Sequence, residues 1–203
     1  GHVLAQLRDL PAMKGFLLAY FFYSMGVQTV MYVAALFGDK ELHLDGSVLI
    51  VTILLIQLVA IPGAAFFARL SGWVGNVRAL MTNVAVWVIT IGIAYFITTM
   101  YEFFALACLI GVVMGGIQSL SRSTFAKLMP ADTEDTASFF SFFDVTEKIA
   151  IVLGTLMYGL VEQITGSMRN SILVLLVLFF IGFALLWRLS VQKIATVPLP
   201  ERA

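Results

Sequence analysis

Six mostly apolar stretches follow one another along the chain, at 15–37, 47–68, 79–100, 103–121, 138–161 and 171–191. Each reaches or approaches the roughly 20 residues that a helix needs to cross about 30 Å of hydrocarbon. The fourth is expected to continue as helix toward Leu128. The runs are continuously apolar and do not alternate with period two, which argues against barrel strands. A long apolar segment in lipid satisfies its own backbone groups only as a helix. The connections are short and polar: 38–46, 69–78, a tight turn at Tyr101-Glu102, 122–137 with Pro130 and the acids Asp132, Glu134 and Asp135, and 162–170. Short connections favour antiparallel neighbours. The pattern predicts an all-α membrane protein with six transmembrane helices, preceded by a linker (1–14) and followed by a tail (192–203).

Composition agrees. Hydrophobic residues make up 61% of the 203 and charged residues only 12%, against roughly 45–50% and 25% in soluble domains. The formal net charge is zero, so no global field points to nucleic acid. Placement of charge carries more information. One end of the bundle collects Arg8, Lys14, Arg69, Arg78, Arg122, Lys127, Arg188, Lys193 and Arg202, the other only Lys40 and Arg169. That bias places both termini in the cytoplasm. Cys108 is alone, so no disulfide within the chain is available to it. The chain opens Gly1-His2 and is read as a piece of something longer.

Polar residues are costly at membrane depth and face a bundle interior or a cavity. They concentrate in four helices. The first carries Tyr20, Tyr23, Ser24, Gln28, Thr29 and Tyr32; the second Thr52 and Gln57; the fourth Gln118, Ser119 and Ser121; the fifth Asp144, Thr146, Glu147 and Lys148. The third and sixth are nearly pure hydrocarbon. Two lining helices followed by a bland one, repeated, is the arrangement of transporters built from inverted three-helix repeats.

Asp144, Glu147 and Lys148 are the sharpest signal. A single charge at the centre of a span costs about 2.5–3.5 kcal/mol on insertion scales, so three would be hard to hold against lipid. Asp144 and Lys148 are spaced i,i+4, and Asp144 and Glu147 i,i+3. Two readings stay open: an internal Asp144–Lys148 ion pair that neutralises buried charge, or a substrate and proton-coupling site in which the excess carboxylate cycles a proton. The aromatic run Phe139, Phe140, Phe142 and Phe143 reads as packing, with a gate as the alternative. Gly111-x-x-x-Gly115 allows close helix contact, and Pro62-Gly63 would weaken or kink the second helix.

Two stretches resemble the vacuole-effluxer-like branch of the major facilitator superfamily. One runs Gly116-Ile-Gln118-Ser-Leu-Ser121-Arg122-Ser123-Thr-Phe125-Ala-Lys-Leu128-Met-Pro130, continued by Phe139-Phe-Ser-Phe-Phe-Asp144-Val-Thr-Glu147-Lys148 and Gly154-Thr-Leu-Met-Tyr-Gly159. The other is Ala19-Tyr20-Phe-Phe-Tyr23-Ser-Met-Gly26-Val-Gln28-Thr29. The resemblance implies the C-terminal six-helix half of a twelve-helix transporter, two inverted three-helix repeats that rock against an N-terminal half in alternating access. It implies a small solute as cargo, with amino-acid efflux known among relatives. It gives Arg122, with Ser121 and Ser123, a motif role, the alternative being a cytoplasmic-side anchor. Gln118 is a candidate for binding solute or a neighbouring helix. Gln28 and Tyr32 read as packing or hydrogen-bond glue, with a place beside the charged cluster as the alternative. The chain departs from the pattern at Met25, where relatives carry an acid. It departs again in the loop Ala68-Arg69-Leu-Ser-Gly72-Trp73-Val-Gly75-Asn-Val-Arg78, where Gly72 and Trp73 replace the usual Asp-Arg pair while Arg69, Gly75 and Arg78 remain.

Other function classes fit less well. An intramembrane protease needs a histidine at depth, and His2 and His43 lie outside the expected spans. No cysteine, histidine and carboxylate cluster suggests a metal, and no cofactor is expected. A channel subunit or non-transporting scaffold remains the alternative to a secondary transporter in the bacterial inner membrane. Half a transporter encloses half a cavity, so residues 1–203 alone are expected to be inactive.

Overall fold

The computed structural model describes residues 10–130 and 136–195, with no strand among them. Arg8, Asp132, Glu134, Asp135 and Arg202 lie outside the described residues, as does the side chain of Lys193. Six helices follow in order: α1 (Pro11–Lys40), α2 (Gly46–Val74), α3 (Asn76–Ala94), α4 (Met100–Leu128), α5 (Thr136–Thr165) and α6 (Met168–Ala195). Five of them, all but α5, are long and apolar enough to cross a membrane. The sixth is equally long but carries Asp144, Glu147, Lys148 and Glu162. The molecule is an all-α membrane protein with the make-up of one half of a major-facilitator fold.

Most helices overrun their apolar windows, because the polar flanks continue the helical hydrogen bonding. Pro11 starts α1, at a position where a missing N–H costs nothing. The turn expected at Tyr101-Glu102 falls earlier, at 95–99. Thr99 caps α4: its hydroxyl accepts from the Glu102 N–H, while the Glu102 carboxylate accepts from the Thr99 N–H. This reciprocal capping box pulls Tyr101 and Glu102 into the first turn of α4 and ends α3 at Ala94. Pro62 does not break α2, which runs on to Val74.

The extensive helix pairings are α2 with α4, α1 with α5 and α6, and α3 with α4 and α6. Exchanging α1, α2 and α3 for α4, α5 and α6 maps this pattern onto itself: α1–α5 becomes α4–α2, and α1–α6 becomes α4–α3. Glycines obey the same exchange. A Cβ on Gly154 of α5 would lie 2.6 Å from the Met25 carbonyl oxygen of α1, and one on Gly63 of α2 would lie 2.6 Å from Val112 Cα of α4. Two inverted three-helix repeats account for both observations. Near the pseudo-axis, Trp87 of α3 stacks on Phe179 of α6 with ring centroids 5.3 Å apart.

The α2–α4 seam is the tightest. Gly111 faces the Ile56 carbonyl oxygen, which an added Cβ would meet at 2.8 Å, and Gly115 abuts the Ala60 backbone. Backbones that approach this closely gain dispersion contacts, which replace the hydrophobic effect inside lipid. Asn83, fully buried on α3, adds a polar tie by donating to the Val113 carbonyl of α4 at 3.0 Å. At the end of the bundle where α3 and α5 finish, Arg169 of α6 donates to the Tyr95 and Ile97 carbonyls at 2.7 and 2.9 Å and to Glu41 at 3.3 Å. It thereby gathers α1, α3 and α6.

Gly115→Ala should lower the melting temperature of the full-length protein in detergent, because overpacking costs about 1–3 kcal/mol. Gly92→Ala, with open space around it, should leave the melting temperature unchanged or raise it. Equal melting curves for the two variants would contradict the close approach.

Candidate functional site

A cavity of about 150 Å³ opens between α1, α4 and α5. From α1 it is lined by Tyr20, Tyr23, Ser24, Val27 and Gln28, from α4 by Ile117, Gln118, Ser121 and Arg122, and from α5 by Phe143 and Glu147. Helical spacing explains the grouping. Tyr20, Tyr23, Ser24, Val27 and Gln28 recur at i, i+3, i+4, i+7 and i+8, one face of α1. Gln118 with Ser121 and Arg122 repeats the spacing on α4, and Phe143 with Glu147 on α5. α2 contributes nothing to this lining, although Gln57 made it a candidate lining helix; Gln57 is exposed, and Thr52 donates to the Val48 carbonyl of its own helix.

The polar groups answer one another across helices. Gln28 Nε2 donates to Glu147 Oε1, joining α1 to α5. The Tyr23 and Ser121 hydroxyls lie 2.8 Å apart. Ser121 also donates to the Ile117 carbonyl, which leaves Tyr23 as the donor between them. Both residues are buried. Phe143 closes one wall, stacked on Tyr20 at 4.1 Å between centroids and packed on Phe125 at 4.8 Å. Phe139 is also buried, so this much of the aromatic run serves packing. The Arg122 guanidinium sits 5.7 Å from the Phe143 ring centre and pairs with Asp144 at 3.1 Å.

The internal ion pair considered for Asp144 and Lys148 is therefore replaced by one between helices. Arg122, nearly two turns before the end of α4, pairs with Asp144 instead. Lys148 is exposed and has no ion-pair partner among the described residues. Glu147 lies 11 residues into α5, about 16 Å along its axis at 1.5 Å per residue. Of the sequence candidates, Gln28, Gln118, Ser121, Arg122 and Glu147 meet in the cavity, and Asp144 adjoins it through Arg122. Tyr32 does not: it is 63% exposed, farther along α1.

Ser123, Arg69, Gly75 and Arg78 belong to the region where α2 and α4 end and α3 begins. Gly75 joins α2 to α3 with φ +85°, a left-handed conformation that suits glycine. Asn76, which sequence reading did not single out, is the hub here. Its Nδ2 donates to Ser123 Oγ at 2.8 Å, and its Oδ1 accepts from Lys127 Nζ at 2.8 Å. The available signal was its position directly after a glycine at a helix junction. Arg69 is exposed and takes no part in this network.

Residues 1–196 match the family model described as vacuole effluxer Atg22 like. The chain is 33% identical over 186 residues to YxiO of Bacillus subtilis (strain 168), a protein named as an uncharacterized MFS-type transporter; the match covers 92% of this chain and 43% of that protein. It is 30% identical over 204 residues to autophagy-related protein 22 of Cryptococcus neoformans, covering 93% and 37%. Against autophagy-related protein 22 of Saccharomyces cerevisiae (strain YJM789) the figures are 31% over 191 residues, 88% and 35%. The chain thus spans less than half the length of these relatives.

The two polar ties of the site should differ in stability cost. Ser121→Ala leaves the buried Tyr23 hydroxyl unpaired and should cost about 1–3 kcal/mol. Arg122→Gln breaks a pair whose side chains are about half exposed and should cost under about 1 kcal/mol. Unfolding in detergent ranks the two, and the reverse order would refute this assignment.

Proposed function

The chain belongs to the vacuole effluxer Atg22-like family, and we propose that it forms the C-terminal half of a proton-coupled secondary transporter that moves a small solute by alternating access. The observation that carries this reading is the Gln28–Glu147 bond on the wall of a polar cavity. A carboxylate held by a neutral amide keeps no counter-charge, so it can take up and release a proton without breaking an ion pair. Arg122–Asp144 is already neutralised, which leaves Glu147 as the proton carrier.

In this reading an N-terminal six-helix half covers the open side of the cavity. Solute enters between the halves and meets Gln118, Gln28 and the hydroxyls, with Lys148 on the approach. Protonated Glu147 donates to a neighbouring acceptor; ionised, it accepts from Gln28. The two hydrogen-bond patterns favour different positions of α1 against α5, and that difference couples proton to solute. Arg122, Arg69, Gly75 and Arg78 have a conformational role toward the end of the bundle where α2 and α4 finish. Both chain ends lie on the cytoplasmic side, in a bacterial plasma membrane. Amino acids, whose ammonium and carboxylate groups suit Glu147 and the amides of Gln28 and Gln118, are the first solutes to try.

The test uses the full-length protein in proteoliposomes with an imposed pH gradient and a panel of labelled amino acids. Glu147→Gln should abolish gradient-driven uptake while leaving solute exchange intact, and Lys148→Ala should abolish both. Wild-type uptake by both variants would defeat the assignment.

A further inference from the structure

Ion pairing differs between the two ends of the bundle. At one end both cations have carboxylate partners: Lys40 with Glu162 at 3.4 Å and Arg169 with Glu41 at 3.3 Å. At the other end Arg122 pairs with Asp144, whereas Lys14, Arg69, Arg78, Lys127 and Arg188 are all exposed, and none of these five forms an ion pair among the described residues. Two of these five cations, Arg78 and Lys127, line a single cavity of about 560 Å³. Its other polar lining includes Ser71, Asn76, Thr124 and Ser190.

We infer that this cavity binds the phosphate of an anionic phospholipid. The chemistry of the lining selects an anion. Lys127 already donates to Asn76 Oδ1, which fixes the ammonium at the cavity wall without neutralising it. Arg78 brings five N–H donors in a planar fork that matches phosphate oxygens. The first turn of α3, which carries no acidic residue, adds N–H groups with no partner inside the helix. Hydroxyls and amide complete a set rich in donors. Lipid, not free phosphate, is the source that fits the position. Val74 and Val77 give the cavity an apolar side, and Trp73 beside it is 84% exposed, as aromatic residues are at the edge of a bilayer. The site lies at the α2–α3 junction and shares no lining residue with the solute cavity. A lipid held there ties α3 to the end of α4 and would stiffen the junction.

Native mass spectrometry of the delipidated full-length protein, titrated with phosphatidylglycerol, phosphatidylcholine or inorganic phosphate, tests this. Phosphatidylglycerol should be retained in preference to phosphatidylcholine. The Arg78→Gln/Lys127→Gln double variant should bind it about 30-fold more weakly, each cation near an anionic headgroup contributing about fivefold. Lys14→Gln, a cation from the same end but outside the cavity, should leave binding unchanged. Equal retention of the two lipids, undiminished binding by the double variant, or saturable binding of inorganic phosphate without lipid preference would each overturn the assignment.

Discussion

In hydrocarbon a polar side chain has no water to turn to, so most of those inside the bundle bond to another helix or to their own backbone, with Thr29 Oγ1, Asn83 Oδ1 and Trp87 Nε1 as buried exceptions. This constraint organises the molecule. Tyr23 reaches Ser121, Gln28 reaches Glu147 and Asn83 reaches the Val113 carbonyl. Each bond links two helices, the first two of them far apart in sequence, and fixes their rotation as well as their contact. Where no long-range partner exists, as at Thr52, Thr90 and Thr155, the hydroxyl returns to a carbonyl one turn back.

Close backbone approach does the rest. Between helices in lipid there is little hydrophobic gain, because the solvent is as apolar as leucine. Dispersion between well-fitted surfaces must therefore hold α2 on α4 and α5 on α1. Glycines at 63, 111, 115 and 154 make that fit possible. The same two seams are related by exchange of the repeats, so one packing solution is used twice. What differs is the polar filling. The α1–α5 side carries the amide–carboxylate pair and the aromatic wall, while the α2–α4 side is almost wholly apolar. The cavity consequently draws on α5 and not on its counterpart α2.

The two ends of the bundle are built on different electrostatic principles. One is closed by Arg169, which satisfies orphan carbonyls at the end of α3 and a carboxylate on α1 together. The other holds one ion pair, Arg122 with Asp144, and leaves Lys14, Arg69, Arg78, Lys127 and Arg188 exposed and outside any ion pair among the described residues.

Apolar run length and polarity were enough to read the six helices, their order, the membrane as solvent and the special standing of α5, because those depend on residues near in sequence. The glycine pair at 111 and 115 and the charge bias between the ends were legible for the same reason. Partner choice was not. Asp144 has Lys148 one turn away on its own helix, yet it pairs with Arg122, whose side chain reaches across from α4. Tyr32 carries the same chemistry as Tyr23, but lies farther along α1 and is exposed. Asn76 looked like a loop residue and proved to be a junction, since only folding brings Ser123 and Lys127 to it. Sequence determined which solvent each segment can tolerate, a local property summed along the chain. Tertiary structure alone decided which polar groups meet, because helix rotation and crossing are set by packing against helices that the local sequence does not contain.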